Sequence, residues 1–121
     1  MVNKSNDEKQ VTQIKIWLDD ERPAPDGWKK CLWPEQVIML IVSAGLSGKF
    51  EVTDISLDHD LGEDNGRTGY DVIRYIQKQL VTGQWNGNVP NLYCHSDNPV
   101  GRKHIELGIA SILRLKDKAA T

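Results

Sequence analysis

The run Val52 to Leu57 is apolar and β-branched in part, with Val52, Ile55 and Leu57, and it breaks at once into Asp58-His59-Asp60-Leu61-Gly62. Such a run reads as a buried strand that delivers polar side chains at its carboxyl end, the place where α/β sheets hold their chemistry. Side chains alternate across a strand, so Asp58 and Asp60 are expected on one side and His59 on the other. Two carboxylates that close repel strongly at low dielectric unless a cation lies between them or one keeps a proton. A plainer reading, in which Asp60 only caps the turn into Gly62, stands beside this one.

The same pattern occurs twice more. Gln13 to Leu18 alternates as a strand and stops at Asp19-Asp20-Glu21-Arg22-Pro23, where Pro23 and Pro25 forbid a continuing ladder. An Asp-Asp pair at a strand end suits a hard cation such as Mg2+ or Mn2+, and a solvated acidic turn is the alternative. Asn91 to Cys94 is a short strand running into His95-Ser96-Asp97-Asn98-Pro99. Taken singly, His95 reads as a structural imidazole and Ser96 as a helix cap. Three strand ends carrying acid, imidazole and hydroxyl groups exceed what turns require.

Between these runs, Gly27 to Trp33 is a candidate edge strand with lysines suited to an edge. Trp28 and Trp33 are open between pocket, dimer surface and core. Pro34-Glu35 opens a helix expected to end at Gly45, and Val37, Ile38, Leu40, Ile41 and Val42 suggest that it is well buried. Gly48-Lys49-Phe50 fails the phosphate-loop pattern, because Ser43 and Phe50 stand where glycine and a hydroxyl residue are required. Residues 63–69 read as a polar loop. Tyr70 to Leu80 has the period of an amphipathic helix, with Thr68 as its N-cap. Trp85 is expected to seal the core. Pro99 starts the last helix, whose N-terminal amides would form an anion cradle beside Arg102, with His104 peripheral.

This βαβα order implies parallel strands with right-handed crossovers, and such sheets bind ligands beyond the carboxyl ends of their strands. At 121 residues the chain fits one domain, expected over 12–115 between a flexible N-terminal tail, 1–11, and a C-terminal tail, 116–121. A formal net charge of −2 argues against a basic sheath for duplex DNA, so any phosphate is met locally. Cys31 and Cys94 are the only cysteines, and the polar start suggests no secretory signal; a reducing cytoplasm with free thiols is expected. Val37 to Val42, the longest apolar run, is too short for a bilayer, so no membrane partner is expected.

Four motifs in order, Leu18-Asp19-Asp20-Glu21-Arg22-Pro23, Leu57-Asp58-His59-Asp60-Leu61-Gly62, Thr68-Gly69-Tyr70-Asp71 and His95-Ser96-Asp97-Asn98-Pro99-Val100-Gly101, resemble the cyclic-phosphate processing receiver-like domains of phages and bacteria. The likeness spans roughly Ile14 to Ile112. It implies an α/β fold of the receiver (flavodoxin-like) type: three layers, a mostly parallel sheet of about four strands in the order 2-1-3-4, and a reduced first helix. It also implies a site that processes cyclic phosphate on a nucleotide or at an RNA end. Ordinary response receivers are a more distant likeness, with Asp19 and Asp20 at their magnesium positions, Asp58 at the phosphoacceptor and Ser96 at the switch hydroxyl. The short segment before Trp28, the missing last strand with its lysine, and the extra Arg22, His59 and His95 rank that reading second.

The chemistry expected of these clusters is phosphoester hydrolysis. Asp19, Asp20 and Asp58 or Asp60 would hold Mg2+ or Mn2+, and Arg22 and Arg102 would hold phosphate oxygens. His59 and His95 would serve as acid and base in either order, since an imidazole titrates near neutral pH. Asp58 and Ser96 belong to the same catalytic group, and Tyr70, Asn98 and Gly101 would position substrate. A metal-free version with two histidines and an arginine is the variant. Sequestration of a cyclic nucleotide or RNA end without turnover is the alternative of another class, and the oligomeric state is open.

Overall fold

The computed structural model describes residues 11–61 and 66–120. Strands β1 (Thr12–Leu18), β2 (Trp28–Cys31), β3 (Phe50–Leu57) and β4 (Asn91–Cys94) are joined by helices α1 (Pro34–Ser47), α2 (Tyr70–Val81) and α3 (Pro99–Ala120). The strands form one sheet in the order β2-β1-β3-β4, and each neighbouring pair is parallel. The expected α/β class and receiver-like strand order are therefore present. The first crossover, 19–27, contains no helix, because Pro23 and Pro25 lack the amide donors that a helix interior needs.

The layering differs from the three-layer expectation. β2 to β3 and β3 to β4 move across the sheet in one direction, so right-handed crossovers put α1 and α2 on the same face. α3 packs on α2. Strand residues of one parity, Ile16, Leu18, Ile55 and Leu57, are fully buried with Val37, Val72, Ile73, Ile76, Ile105 and Ile112 from the helices. At about 1.5–3 kcal/mol for each buried aliphatic side chain, this single core supplies most of the stabilisation. The opposite parity, in register across the sheet, comprises Lys15 and Trp17 on β1, Trp28 and Lys30 on β2, Asp54 and Ser56 on β3, and Asn91 and Tyr93 on β4. No described helix covers that face; aromatic side chains lie over it instead.

Three local expectations are corrected. α1 passes through Gly45 and stops at Gly48, which takes the left-handed conformation (φ 67°) and returns its N–H to Ala44 O; glycine permits a stop, but only a positive φ makes one. α1 is also less buried than its composition suggests, with Met39, Val42 and Leu46 exposed. α3 continues through 116–120, the stretch expected to be a tail. Thr68 does cap α2: its Oγ1 accepts from the Tyr70 N–H (3.1 Å), while the Asp71 carboxylate accepts from the Thr68 N–H (3.3 Å). Trp85 is partly buried against the core, as expected of a seal. The expectations for 1–10 and for 62–65 lie outside the described residues, and no described helix is long and apolar enough to cross a membrane.

Candidate functional site

The parallel sheet places Asp19 after β1, Asp58 after β3 and His95 after β4. Their backbones are tied together where the strands end, since the Asp58 N–H donates to Leu18 O and the His95 N–H to Leu57 O, each at 3.0 Å. Asp19 is fully buried and Asp58 nearly so. One carboxylate oxygen from each acid and one nitrogen of His95 lie within 4.8 Å of one another. The rim expected from sequence thus exists.

Asp19 is held by four donors. Its Oδ1 accepts the Glu21 and Arg22 amides at 2.8 and 3.0 Å, and its Oδ2 takes Arg22 Nε at 3.0 Å and His95 Nε2 at 3.2 Å. Burial opposes its charge, but these donors outweigh it and hold the carboxyl below the usual range. Asp58 goes the other way: burial and then the Asp19 charge raise it, only partly offset by Arg22, His95 and the Ser96 hydroxyl. The two neighbouring carboxyls are thus driven in opposite directions by their surroundings.

His95 lies between Asp19 and Ser56, with its Nδ1 2.8 Å from Ser56 Oγ. An ionised Asp19 only accepts, so Nε2 carries the hydrogen and Nδ1 accepts from the Ser56 hydroxyl. Trp17 stacks on the ring at 3.7 Å between centroids. Burial lowers the imidazole pKa, and Arg22 adds to this, against the pull of Asp19 and Asp58. A lowered folded-state value means that the unfolded chain takes up a proton first. The stabilisation from neutral His95 is therefore complete above the ordinary imidazole value of about 6.5 and declines as pH falls from there through the folded value. His95→Asn is expected to flatten the stability curve in this window, measured by urea unfolding between roughly pH 7 and pH 5. An unaltered slope would assign that titration to another group.

His59 faces a different partner. The chain leaves β3 at Leu57, so strict alternation ends there, and Asp60 turns to His59 instead of joining Asp58. His59 Nδ1 and Asp60 Oδ1 are 2.9 Å apart, while Asn98 Nδ2 donates to both Asp60 oxygens at 3.3 Å. His59 Nε2 has no hydrogen-bond partner among the described residues. Gly101 supports the imidazole from α3; any side chain there would collide with the ring, just as one at Gly69 would meet the Asp58 carbonyl. The two glycines thus let α2 and α3 approach the 58–59 backbone closely.

Other predicted groups have other duties. Asn98 Oδ1 accepts the Val100 and Gly101 amides at 3.0 and 3.1 Å, so the first α3 amides expected to cradle an anion are already capped. Arg102 Nη1 donates to Ser96 O at 3.1 Å, and its Nε pairs with Glu106. Tyr70 stacks on His104 at 3.9 Å, within the α2–α3 contact. Asp20 and Asp60 lie outside the group of close ligating atoms. Where the two acids would share a cation, Arg22 already reaches both, with Nη2 3.4 Å from Asp58 Oδ2, and its Nη1 lies 3.5 Å from Asp97. A cation shared by the two acids would have to displace Arg22 from that place. Sequence reading missed Ser56 and Trp17. The signal was available: both fall on the strand parity opposite the core residues.

A parallel sheet whose carboxyl rim gathers two buried acids, an arginine and two histidines defines a receiver-type α/β domain with an elaborated rim. The family model for the cyclic-phosphate processing receiver domain matches residues 14–111, and the chain belongs to that family. No curated protein and no solved structure matches the chain.

Proposed function

We propose that this domain hydrolyses a cyclic phosphodiester, the 2′,3′-cyclic phosphate of a nucleotide or of an RNA end, to a phosphomonoester. The observation that supports this reading is the Asp60–His59 pair, whose Nε2 is unengaged among the described residues and which directly follows in sequence Asp58, the acid that Arg22 reaches. In this scheme Arg22 neutralises the phosphate oxygens. His59 Nε2 removes a proton from water as the water oxygen bonds to phosphorus. The bond from phosphorus to one ribose oxygen breaks, and that oxygen takes a proton from Asp58, the carboxyl raised by burial. His95, with both nitrogens engaged, fixes Asp19 and moves no proton.

The metal-assisted reading, with Mg2+ or Mn2+ on Asp19, Asp58 and His95, is favoured by the closeness of those ligating atoms and requires Arg22 to move away. Incubation with a 2′,3′-cyclic nucleotide in EDTA, Mg2+ or Mn2+ separates the two. Monophosphate formed equally in EDTA is expected, whereas turnover only with metal would favour the second. Tight binding without product would indicate sequestration. An alkali-labile adduct from acetyl phosphate, lost in Asp58→Asn, would instead favour a phosphoacceptor.

A further inference from the structure

The sheet face that lacks helices carries a connected set of rings. Trp28 on β2 and Tyr93 on β4 stem from opposite edges of the sheet, three strand spacings or about 14 Å apart, yet their centroids are 6.2 Å apart. Both rings therefore lean inward over the middle of the sheet. Trp28 also meets Trp17 at 6.0 Å, and Trp17 is the residue stacked on His95. Aromatic surface thus runs without a break from the sheet face to the candidate site. Tyr93 is 45% exposed. Lys15 places its ammonium 5.6 Å from the Trp28 ring centre, and exposed Lys30 shares the face. Trp17 Nε1 is buried there with no hydrogen-bond partner, so the cover holds an unsatisfied donor.

We propose that this face is a stacking platform for the last nucleotides of a single-stranded RNA whose terminal cyclic phosphate lies at the Arg22 and His59 rim. The inference rests on the hydrolase reading and names its substrate class: an RNA end in preference to a free cyclic nucleotide. Three features favour this occupant. Exposed aromatic rings on a sheet bind unpaired bases by stacking, without a basic sheath, which suits a chain of net charge −2. Lys15 and Lys30 offer cations for two or so backbone phosphates, with Asp54 and, nearer the amino ends of the strands, Glu51 as the acids of the same parity among the described residues. A 2′,3′-cyclic phosphate requires a ribose 2′-hydroxyl, so a strand with that terminus is RNA.

The test compares affinities of the full chain for a 2′,3′-cyclic mononucleotide, a tetraribonucleotide ending in 2′,3′-cyclic phosphate, and the same tetramer ending in hydroxyls. Each stacked base contributes roughly 5- to 150-fold, so the cyclic-ended tetramer is expected to bind at least about tenfold more tightly than the mononucleotide. Salt dependence should be shallow, since only a couple of phosphates are met. Tyr93→Ala and Trp28→Leu should each reduce the tetramer-to-mononucleotide ratio. A 4-thiouridine next to the terminus should crosslink to Trp28 or Tyr93 in the unaltered protein, which keeps the test independent of how the variants fold.

Equal affinity for tetramer and mononucleotide, or crosslinks confined elsewhere, would overturn the platform and leave the hydrolase reading intact. Tetramers that bind equally with either end, still sensitive to Tyr93→Ala, would support the platform and count against the cyclic-phosphate site. A dimer dispersed by Trp28→Leu, with no tetramer binding, would assign the face to a second copy and overturn the proposal.

Discussion

Replacing His59 by alanine is expected to lower turnover of a 2′,3′-cyclic nucleotide by about two to four orders of magnitude, the usual contribution of a positioned proton-transfer group. The loss should fall on kcat, because Arg22 still holds the phosphate. Some stability should be lost as well, since the imidazole is largely buried and packs closely on Gly101 of α3. Asp60→Asn supplies the finer check. It keeps a side chain for Asn98 to hold but removes the charge that orients His59 Nδ1–H, so it should cost less than His59→Ala and shift the pH–rate profile. Full activity in both variants would remove this pair from the mechanism and return attention to His95.

The largest loss of stability is expected at Asp19. Asp19→Ala would orphan two backbone amides, Arg22 Nε and His95 Nε2, all of which now donate to one buried carboxylate. Unmaking a buried ionic network from one side costs about 3 kcal/mol or more, a large share of a domain's total of about 5–15 kcal/mol. Urea unfolding measures it, as a fall in the midpoint at constant slope. Asp19→Asn keeps an oxygen for the amides and should lose less. Because Asp19 is the anion of the split carboxyl pair, both variants should also lower the pKa of Asp58 by removing a neighbouring negative charge. A stability loss below about 1 kcal/mol would mean that solvent replaces the missing acceptor.

The strands, their order and the rim were legible in the sequence, because apolar runs that stop on polar clusters carry both the strand signal and its end. Short crossovers then leave few topologies open. What could not be read was which polar group meets which. Asn98 and Arg22 could each serve a ligand or the protein, and only the closed fold shows Asn98 capping α3 and Arg22 between the acids. The third layer is a similar case. Trp17 and Ser56 alternate out of the core face, but whether a helix or only side chains cover them depends on how the 19–27 connection runs. Asp60 departed from alternation because alternation lasts only as long as the ladder, and β3 ends at Leu57.

Three consecutive residues of one connection each answer to a different partner: Ser96 to Asp58, Asp97 to Arg22 and Asn98 to Asp60. Of the three, the Asp97 side chain is almost fully exposed and its pair with Arg22 is a surface one, whereas Asn98 also caps α3. An anion that draws Arg22 aside should therefore release Asp97 first and leave the rest of the connection anchored at the start of α3.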